Sequence, residues 1–419
     1  MTPADQLPVR LGIVGLGPAG TSLLPYVQGH PDVVVTAGAD PDVRAREAFA
    51  RSGAAAYATV AELLASADVD AVYVASPTPL HPEHVRLGFE AGKHVVVEKP
   101  MAPSLLDAER MVADAARHDR VLLVGHSQSF EAPVRAMRAI VASGVLGQLR
   151  AVNCWYYTDW MYRPRHPDEL DAAKGGGVPM RQGAHHVDII RFLGGGLLHS
   201  VRGRVGTWDP ARRTAGAYTA YLEFEDGTPV TAFYSGYDHF PSTEFTFGIG
   251  ESGQQLGSDY AVARGRLAQV DSVEGELALK RGTGGVSRQS EMLRSGDRQP
   301  FFGLVILSCD HGDVRVSPDG LTVYGDTNKV EVSLAGLRVG RQLLLDELVA
   351  AVRGDAGGVV THDGPWGLAN LEVCDALTRS SEQRREMPLR LQVPLGPQPL
   401  LDDVVQQAAA AVRTAPAQV

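Results

Sequence analysis

Along the first 125 residues two patterns alternate. Short β-branched runs at 9–14, 33–37, 71–75, 94–97 and 121–124 are separated by Ala- and Leu-rich stretches with helical spacing. Strands that read as continuous apolar runs between helices indicate a parallel sheet covered on both faces. Two helix starts are legible in Thr59-Val60-Ala61-Glu62 and Ser104-Leu105-Leu106-Asp107. In each, a hydroxyl and a carboxylate three residues on match a capping box, which satisfies the orphan N–H groups of a first turn. The pattern predicts a doubly wound α/β domain over 1–128.

After a helix expected at 131–143 the texture changes. Segments 149–157, 217–224 and 229–235 read as strands, the last two flanking the hairpin turn Asp226-Gly227. Further strands are expected at 302–308, 314–316 and 321–324, and amphipathic helices at 339–353 and 368–381. Meandering strands with turn chemistry predict an α+β domain over 129–395 with a mostly antiparallel sheet. Residues 252–298 are polar and Gly-rich without a sustained period, and are read as an insertion of uncertain order. The tail 396–419 is Pro-rich, then a short Ala/Val helix that docks on a partner subunit or frays.

Composition narrows the function. With 419 residues, 44% of them hydrophobic and 21% charged, the chain has ordinary globular make-up for two or three domains. A net charge of −10 argues against a broad nucleic-acid-binding surface, which needs clustered Lys and Arg. Its three cysteines, Cys154, Cys309 and Cys374, lie far apart with no CxxC spacing, the pattern of a reducing compartment. Residues 1–10 have no apolar signal-peptide core, and no apolar run reaches the roughly 18 residues of a membrane span. A cytoplasmic protein with a small-molecule partner is expected, without nucleic acid or membrane.

Four motifs carry chemistry. Gly15-Leu16-Gly17-Pro18-Ala19-Gly20 follows the first strand and opens a helix, and Asp40 ends the second strand. This is the pattern of a dinucleotide site: Gly15 permits the tight turn, Gly17 the approach of the pyrophosphate, and Gly20 close helix–strand packing. Asp40 would accept the adenosine ribose hydroxyls and repel a 2′-phosphate, favouring NAD, although the nearby Arg44 and Arg46 leave NADP open. Ser76-Pro77-Thr78 ends the 71–75 strand on the edge where nucleotides bind, with His81 just beyond. His81 and His84 have metal-like spacing but no third ligand follows, so no metal is expected. Glu98-Lys99-Pro100 places a lysine at the same sheet edge, before a proline that admits a cis bond. Finally Gly175-Gly176-Gly177 leads to Arg181, His185 and Asp188, which share one helical face with His186 turned aside. An acid–base histidine beside an anion-binding arginine fits a substrate site, with a buried structural network as the bland alternative.

These residues resemble the Gfo/Idh/MocA family of nicotinamide-dependent oxidoreductases. The resemblance covers most of the chain and rests on 15–20, 76–84, Ala91-Gly92-Lys93-His94 with Glu98-Lys99-Pro100, and 175–188. It implies an N-terminal Rossmann domain binding NAD(P) through Gly15, Gly17, Pro18, Ala19, Gly20, Asp40, Ser76, Pro77, Thr78, His81, Glu98, Lys99 and Pro100. It also implies an open sheet that mediates homo-oligomerisation, to a dimer or tetramer, and proton transfer by Lys99 and His185.

One departure matters. Many sugar-dehydrogenase members carry Asp four residues before the histidine, where this chain has Arg181, which cannot accept a hydrogen bond. Arg163, Arg165 and Arg181 would form a cationic patch for an anionic substrate, with Tyr162 and His186 as further contacts and the aromatic run 155–162 as a flat wall. Tyr162-Arg163-Pro164-Arg165, Glu169-Leu170-Asp171 and the 308–324 segment are similar to the phthalate 4,5-cis-dihydrodiol dehydrogenase branch. That similarity implies a carboxylated cyclic diol as substrate. A sugar or inositol dehydrogenase, a sugar oxidoreductase with tightly held cofactor, and a non-catalytic NAD(P)-binding regulator are the alternatives.

Overall fold

A computed structural model describes residues 7–66, 68–237, 239–256, 261–281, 298–338, 340–355 and 358–412. The chain divides into two compact units. The first runs to Ser127 and also takes Ala173–Gly175 and Gly340–Leu371; the second holds Gln128–Ala172, Gly176–Val339 and the chain from Glu372 onward.

In the first unit, β1 (Val9–Val14), β2 (Val33–Ala39), β3 (Ala55–Tyr57), β4 (Ala71–Val74), β5 (His94–Glu98) and β6 (Leu122–Gly125) pair in the order β3-β2-β1-β4-β5-β6, every pairing parallel. All residues of β4 and β6 are buried, which is why they read as unbroken apolar runs. Strand order reverses between β1 and β4, so their carboxyl ends open the crevice where doubly wound sheets take ligands. The edge strand β3 has no sequence signature: it is three residues, Ala-Ala-Tyr, on the exposed rim.

The capping box at Thr59 forms in full, Thr59 accepting from the Glu62 N–H and Glu62 reaching back to the Thr59 N–H at 3.2 Å. The one at Ser104 forms by half. Ser104 Oγ accepts from the Asp107 N–H at 3.2 Å, but the Asp107 carboxylate bonds the Ser104 hydroxyl at 2.6 Å instead of the main chain. Aspartate is one methylene shorter than glutamate. The glycine-rich helix is split into Pro18–Thr21 and Leu24–Val27, because Pro25 has no N–H to return to Thr21. Residues 340–371 supply the helix Arg341–Arg353 and a segment that lies on β6, where Val124 N–H donates to His362 O at 2.8 Å.

The second unit is built on β7 (Leu149–Tyr157), β8 (Leu198–Gly206), β9 (Ala217–Phe224), β10 (Pro229–Ser235), β11 (Leu304–Cys309), β12 (Gly312–Ser317), β13 (Gly320–Gly325), β14 (Lys329–Ser333) and β15 (Met387–Pro388). They form one sheet in the order β14-β13-β12-β11-β7-β10-β9-β8-β15, antiparallel except for β7 with β10. Inward positions such as Val152, Cys154, Tyr156, Leu222 and Tyr234 are buried, and their neighbours along each strand face the other side. The helix Gly183–Gly194 is buried from Gly183 through Leu193, so it is a core helix rather than an amphipathic one. The opposite face of the sheet carries Trp155, 40% exposed, and Tyr221, 42% exposed, with Phe233 beside Trp155 in register.

Two expectations need correction. The segment read as an insertion of uncertain order contains the helices Val262–Leu267 and Val273–Arg281; its residues 257–260 and 282–297 lie outside the described ones. The tail helix, Asp402–Ala409, is docked rather than frayed, and its seat is in its own chain. It packs on its own chain against β14 and the helix Ala132–Ser143, burying Val404 and Ala408, and its Gln407 side chain accepts from the Ser333 N–H at 2.9 Å.

Candidate active site

In the first unit the loop after β1 is drawn tight against the loop after β4. Gly15 has φ +93°, and a Cβ there would lie 2.8 Å from the backbone of Ala75 and Ser76. A Cβ at Gly20 would sit 2.0 Å from the Gly15 carbonyl oxygen, whereas one at Gly17 would meet nothing within 4 Å. The open ground at Gly17 is where a pyrophosphate would approach the chain, next to a helical turn that no side chain caps and that begins at Pro18 and Ala19.

Asp40 is held by two main-chain donors, Leu16 N–H on Oδ2 and Asp42 N–H on Oδ1, both at 2.8 Å. Each oxygen keeps a lone pair for a ribose hydroxyl. Arg46 is occupied with the carbonyls of Asp40 and Pro41, at 2.7 and 2.9 Å, and Arg44 is exposed beside Asp42. The neighbourhood therefore favours the unphosphorylated ribose of NAD. The residues fit that cofactor.

Ser76 Oγ meets His84 Nδ1 at 2.9 Å, and Pro77 and Thr78 enter the short turn that starts the next helix. Burial lowers the His84 pKa. His81 takes a different role from the expected one. Its ring is buried, with Nδ1 3.1 Å from the Pro100 carbonyl and Nε2 2.8 Å from the Ser76 carbonyl, so it ties two loops instead of offering a surface to cofactor.

Lys99 follows β5 and is half-buried, and its bond to Pro100 is cis. Glu98 beside it is buried. Its Oε1 accepts from the Tyr73 hydroxyl and from Arg341 at 3.0 Å, and its Oε2 from the Lys99 N–H at 3.1 Å. Burial alone would raise the carboxyl pKa, but the Arg341 charge, the Lys99 charge and these donors outweigh it and hold it below the usual range. The same burial drives the Tyr73 hydroxyl well above its ordinary value. Neither Tyr73 nor Arg341 was legible as a site residue: one lies inside a buried strand, the other 243 residues beyond its carboxylate.

In the second unit the expected shared face of Arg181, His185 and Asp188 is interrupted. Helix Val178–Arg181 ends at Gln182, which starts the next helix. Asp188 is buried and accepts from Ser129 Oγ at 2.5 Å, the structural role weighed as the bland alternative. His185 is buried against the Phe302 ring, 5.4 Å between centroids.

His186 is not a substrate contact. It is wholly buried, its Nδ1 lies 2.6 Å from the Tyr218 hydroxyl, and desolvation pushes its pKa down to about 3, so it stays neutral. The aromatic run divides likewise. Tyr156 and Trp160 are buried, Trp155 faces the open side of the sheet, and Tyr162 donates to Asp209 at 2.9 Å beneath the Arg264 guanidinium.

The arginines are not a bare cationic patch. Arg163 pairs with Asp159 at 2.5 Å and Glu251 at 3.2 Å; Arg165 lies over Trp160 and pairs with Glu169 at 3.2 Å. Arg181 also reaches Glu169, at 3.3 Å, and Lys280 joins the same carboxylate. Arg212 pairs with Glu276 at 2.9 Å. Among the described residues, these five cations share four carboxylates, and Glu169 alone faces three of them. Glu169 had a local signal, Pro167 and Glu169 at the first and third positions of a capped turn after His166; Lys280 had none. Arg315 donates to the Phe245 carbonyl at 3.1 Å and lies over the Phe247 ring, 5.4 Å from its centroid.

Comparison with known proteins agrees with this geometry. Residues 9–126 match a family model described as the NAD-binding Rossmann fold of an oxidoreductase family, and residues 134–253 match the GFO/IDH/MocA C-terminal domain. The chain is 34% identical to the 1-carboxy-3-chloro-3,4-dihydroxycyclohexa-1,5-diene dehydrogenase of Comamonas testosteroni, over 88% of this chain and 94% of that one. It is 30% identical to the myo-inositol 2-dehydrogenase of Thermotoga maritima over 45% of this chain and 55% of that one. A crystal structure from Bordetella bronchiseptica RB50 superposes with a TM-score of 0.84 at 39% identity, covering 91% of this chain and all of that one. The WlbA dehydrogenase of Bordetella pertussis, crystallised with NADH and UDP-GlcNAcA, shares the fold with a TM-score of 0.67 at 21% identity, covering 91% of this chain and 99% of that one.

Replacing Asp40 with Ser should remove charge-assisted hydrogen bonds worth about 1.5–3 kcal/mol, weakening NAD roughly ten- to hundredfold and narrowing the gap to NADP. Fluorescence titration with both dinucleotides checks this; undiminished NAD affinity would take Asp40 out of the site.

With its glycine turn and both family domains matched in order, the chain belongs to the Gfo/Idh/MocA family and is an NAD-dependent oxidoreductase.

Proposed function

We propose that this enzyme oxidises a secondary alcohol of a carboxylated cyclic small molecule, with a cis-dihydrodiol acid as the preferred class. The observation that carries the reading is the gathering of Arg165, Arg181 and Lys280 about the single carboxylate of Glu169. Guanidinium and ammonium groups gathered in one place suit a substrate carboxylate, which arginine grips through two parallel bonds. The carboxyl and adjacent hydroxyls in the name of the Comamonas relative support the same class. Arg163, which already shares two carboxylates, has the weakest claim of the expected contacts.

Lys99 is the proposed general base for the hydroxyl, with His185 as the second proton-transfer group. Bound NAD supplies the hydride acceptor. The chain's own part is to hold the dinucleotide on the 15–20 turn, fix its ribose with Asp40, and take the hydroxyl proton at Lys99 Nζ. For a dihydrodiol the ketone product tautomerises to an aromatic catechol, which draws the reaction toward oxidation. Inositol oxidation is the second reading, favoured by the identity with inositol dehydrogenases over 44–45% of this chain. The free thiols of Cys154, Cys309 and Cys374 suit work in the cytoplasm. The outward face bearing the exposed Trp155 and Tyr221, with the half-buried Phe233 beside Trp155, is the proposed contact for a dimer or tetramer, since clustered aromatics on an open sheet face mark interaction surfaces.

A panel of cis-dihydrodiol carboxylates, their uncarboxylated analogues and myo-inositol, followed by NADH absorbance, tests the substrate class. Acids should be turned over best, and a clear preference for inositol would sink the proposal. Lys99→Met should abolish turnover of the best compound while NAD affinity holds within about threefold. Arg181→Gln should raise KM about tenfold or more for the acid and leave the uncarboxylated analogue unchanged, in line with the worth of a charged hydrogen bond. Trp155→Asp should shift the mass measured by light scattering toward the monomer; an unaltered oligomer would move the contact elsewhere.

A further inference from the structure

We infer that Arg341 is a positioning residue for this reaction, acting through Glu98 on the main chain that carries the Lys99 amine. The inference rests on the reading of Lys99 as the proton acceptor.

Two buried groups, Tyr73 and Glu98, and the partly buried Arg341 close a ring behind the end of β5. Arg341 Nη1 donates to the Tyr73 hydroxyl at 2.8 Å, Arg341 Nη2 donates to Glu98 Oε1 at 3.0 Å, and the Tyr73 hydroxyl donates to the same Oε1. The remaining oxygen, Oε2, accepts the Lys99 N–H at 3.1 Å. All four residues belong to the first unit. With one oxygen fixed by two donors, the carboxylate cannot rotate about its last bond, and the acceptor it presents to Lys99 is held in direction as well as position.

As a fold tie the arrangement is a poor choice. Desolvating a guanidinium and a carboxylate offsets most of their attraction, and apolar side chains of similar volume often hold a core as well or better. What apolar side chains would not supply is an acceptor for the N–H of the residue at the strand's end. Arg341 lets Glu98 stay ionised in a place where burial would favour its neutral form, and an ionised acceptor holds the Lys99 peptide more firmly than a neutral carboxyl. The peptide plane sets where the lysine side chain begins, and displacements near 1 Å at a reacting group can cost about a hundredfold in rate.

The test uses the full chain, with K99M as the reference. R341M should lower kcat on the best compound of the panel about a hundredfold, leave the KM for NAD within about threefold, and be partly rescued by R341K, which restores one cationic donor. Y73F should lose about tenfold. Because R341M leaves Glu98 buried without its cation and can fail to fold, the double variant E98Q/R341M, neutral and similar in shape, carries the same expectation. A substrate-free readout accompanies these: the rate of Lys99 reductive methylation, followed by peptide mass spectrometry, should change at least threefold in the folded variant relative to the protein's other lysines. Wild-type kcat per folded molecule in R341M or the double variant, or an unchanged methylation rate, overturns the inference. Turnover retained in K99M overturns instead the reading of Lys99 on which it stands.

Discussion

A carboxylate taken out of water has to be given donors on both oxygens, and this protein meets that demand by using buried carboxylates to fasten distant or irregular segments. Glu98 joins β4, the end of β5 and the helix Arg341–Arg353. Glu347 accepts the N–H groups of Thr361 and His362, each at 3.1 Å. Glu372 does the same for Arg390 and Leu391, at 2.6 and 2.9 Å, with the Gln392 amide at 2.8 Å. Each acid sits in regular structure while the main-chain N–H groups it accepts lie in loops or just beyond a strand end, where no ladder partner exists for them. Removing one such acid would orphan several donors at once, which is costlier than losing an equal number of separate surface bonds.

The same device shapes the two candidate ligand regions in opposite ways. Asp40 is anchored by main-chain N–H groups, which spend only part of its accepting capacity and leave the rest to face a sugar. Glu169 is surrounded by side-chain cations and the His166 N–H, so its accepting capacity is spent within the protein. On the proposed reading, the first would select neutral hydroxyls over phosphate and the second would receive an anion. Charge in this chain, −10 overall, is therefore no guide to the sign of its local sites.

Elements with a strong period were legible. Strands 149–157, 217–224 and 229–235 fall where alternation and the Asp226-Gly227 turn put them, because each buries one face and exposes the other. The nucleotide turn was legible for a different reason: Gly15 and Gly20 are demanded by local geometry, so the residue type itself carries the signal. What escaped depended on partners remote in sequence. Helix 183–194 reads as two-sided, yet it is core throughout, and that is decided by the sheet and the aromatic cluster around it, not by its own residues. The arginines at 163, 165 and 181 were visible as charges, but their neutralisation by Asp159, Glu251 and Glu169 was not, since loop residues only four apart have no fixed relative direction until the loop is folded.

That last point bears on how a substitution at one position can change what an enzyme of this family accepts. An aspartate four residues before His185 would be an acceptor beside a proton-transfer group, suited to a hydroxyl. An arginine there cannot serve by itself, because an unpaired guanidinium half out of water would be costly and would repel a protonated imidazole. Glu169 removes that penalty, and Lys280, from a segment with no periodic signature, pairs with the same carboxylate. On the proposed reading, a preference for carboxylate over hydroxyl would be a property of four side chains on three separate segments. Arg181 gains its meaning only once Glu169, Arg165 and Lys280 are in place, so transplanting the arginine alone into a polyol dehydrogenase would bring the charge without the site.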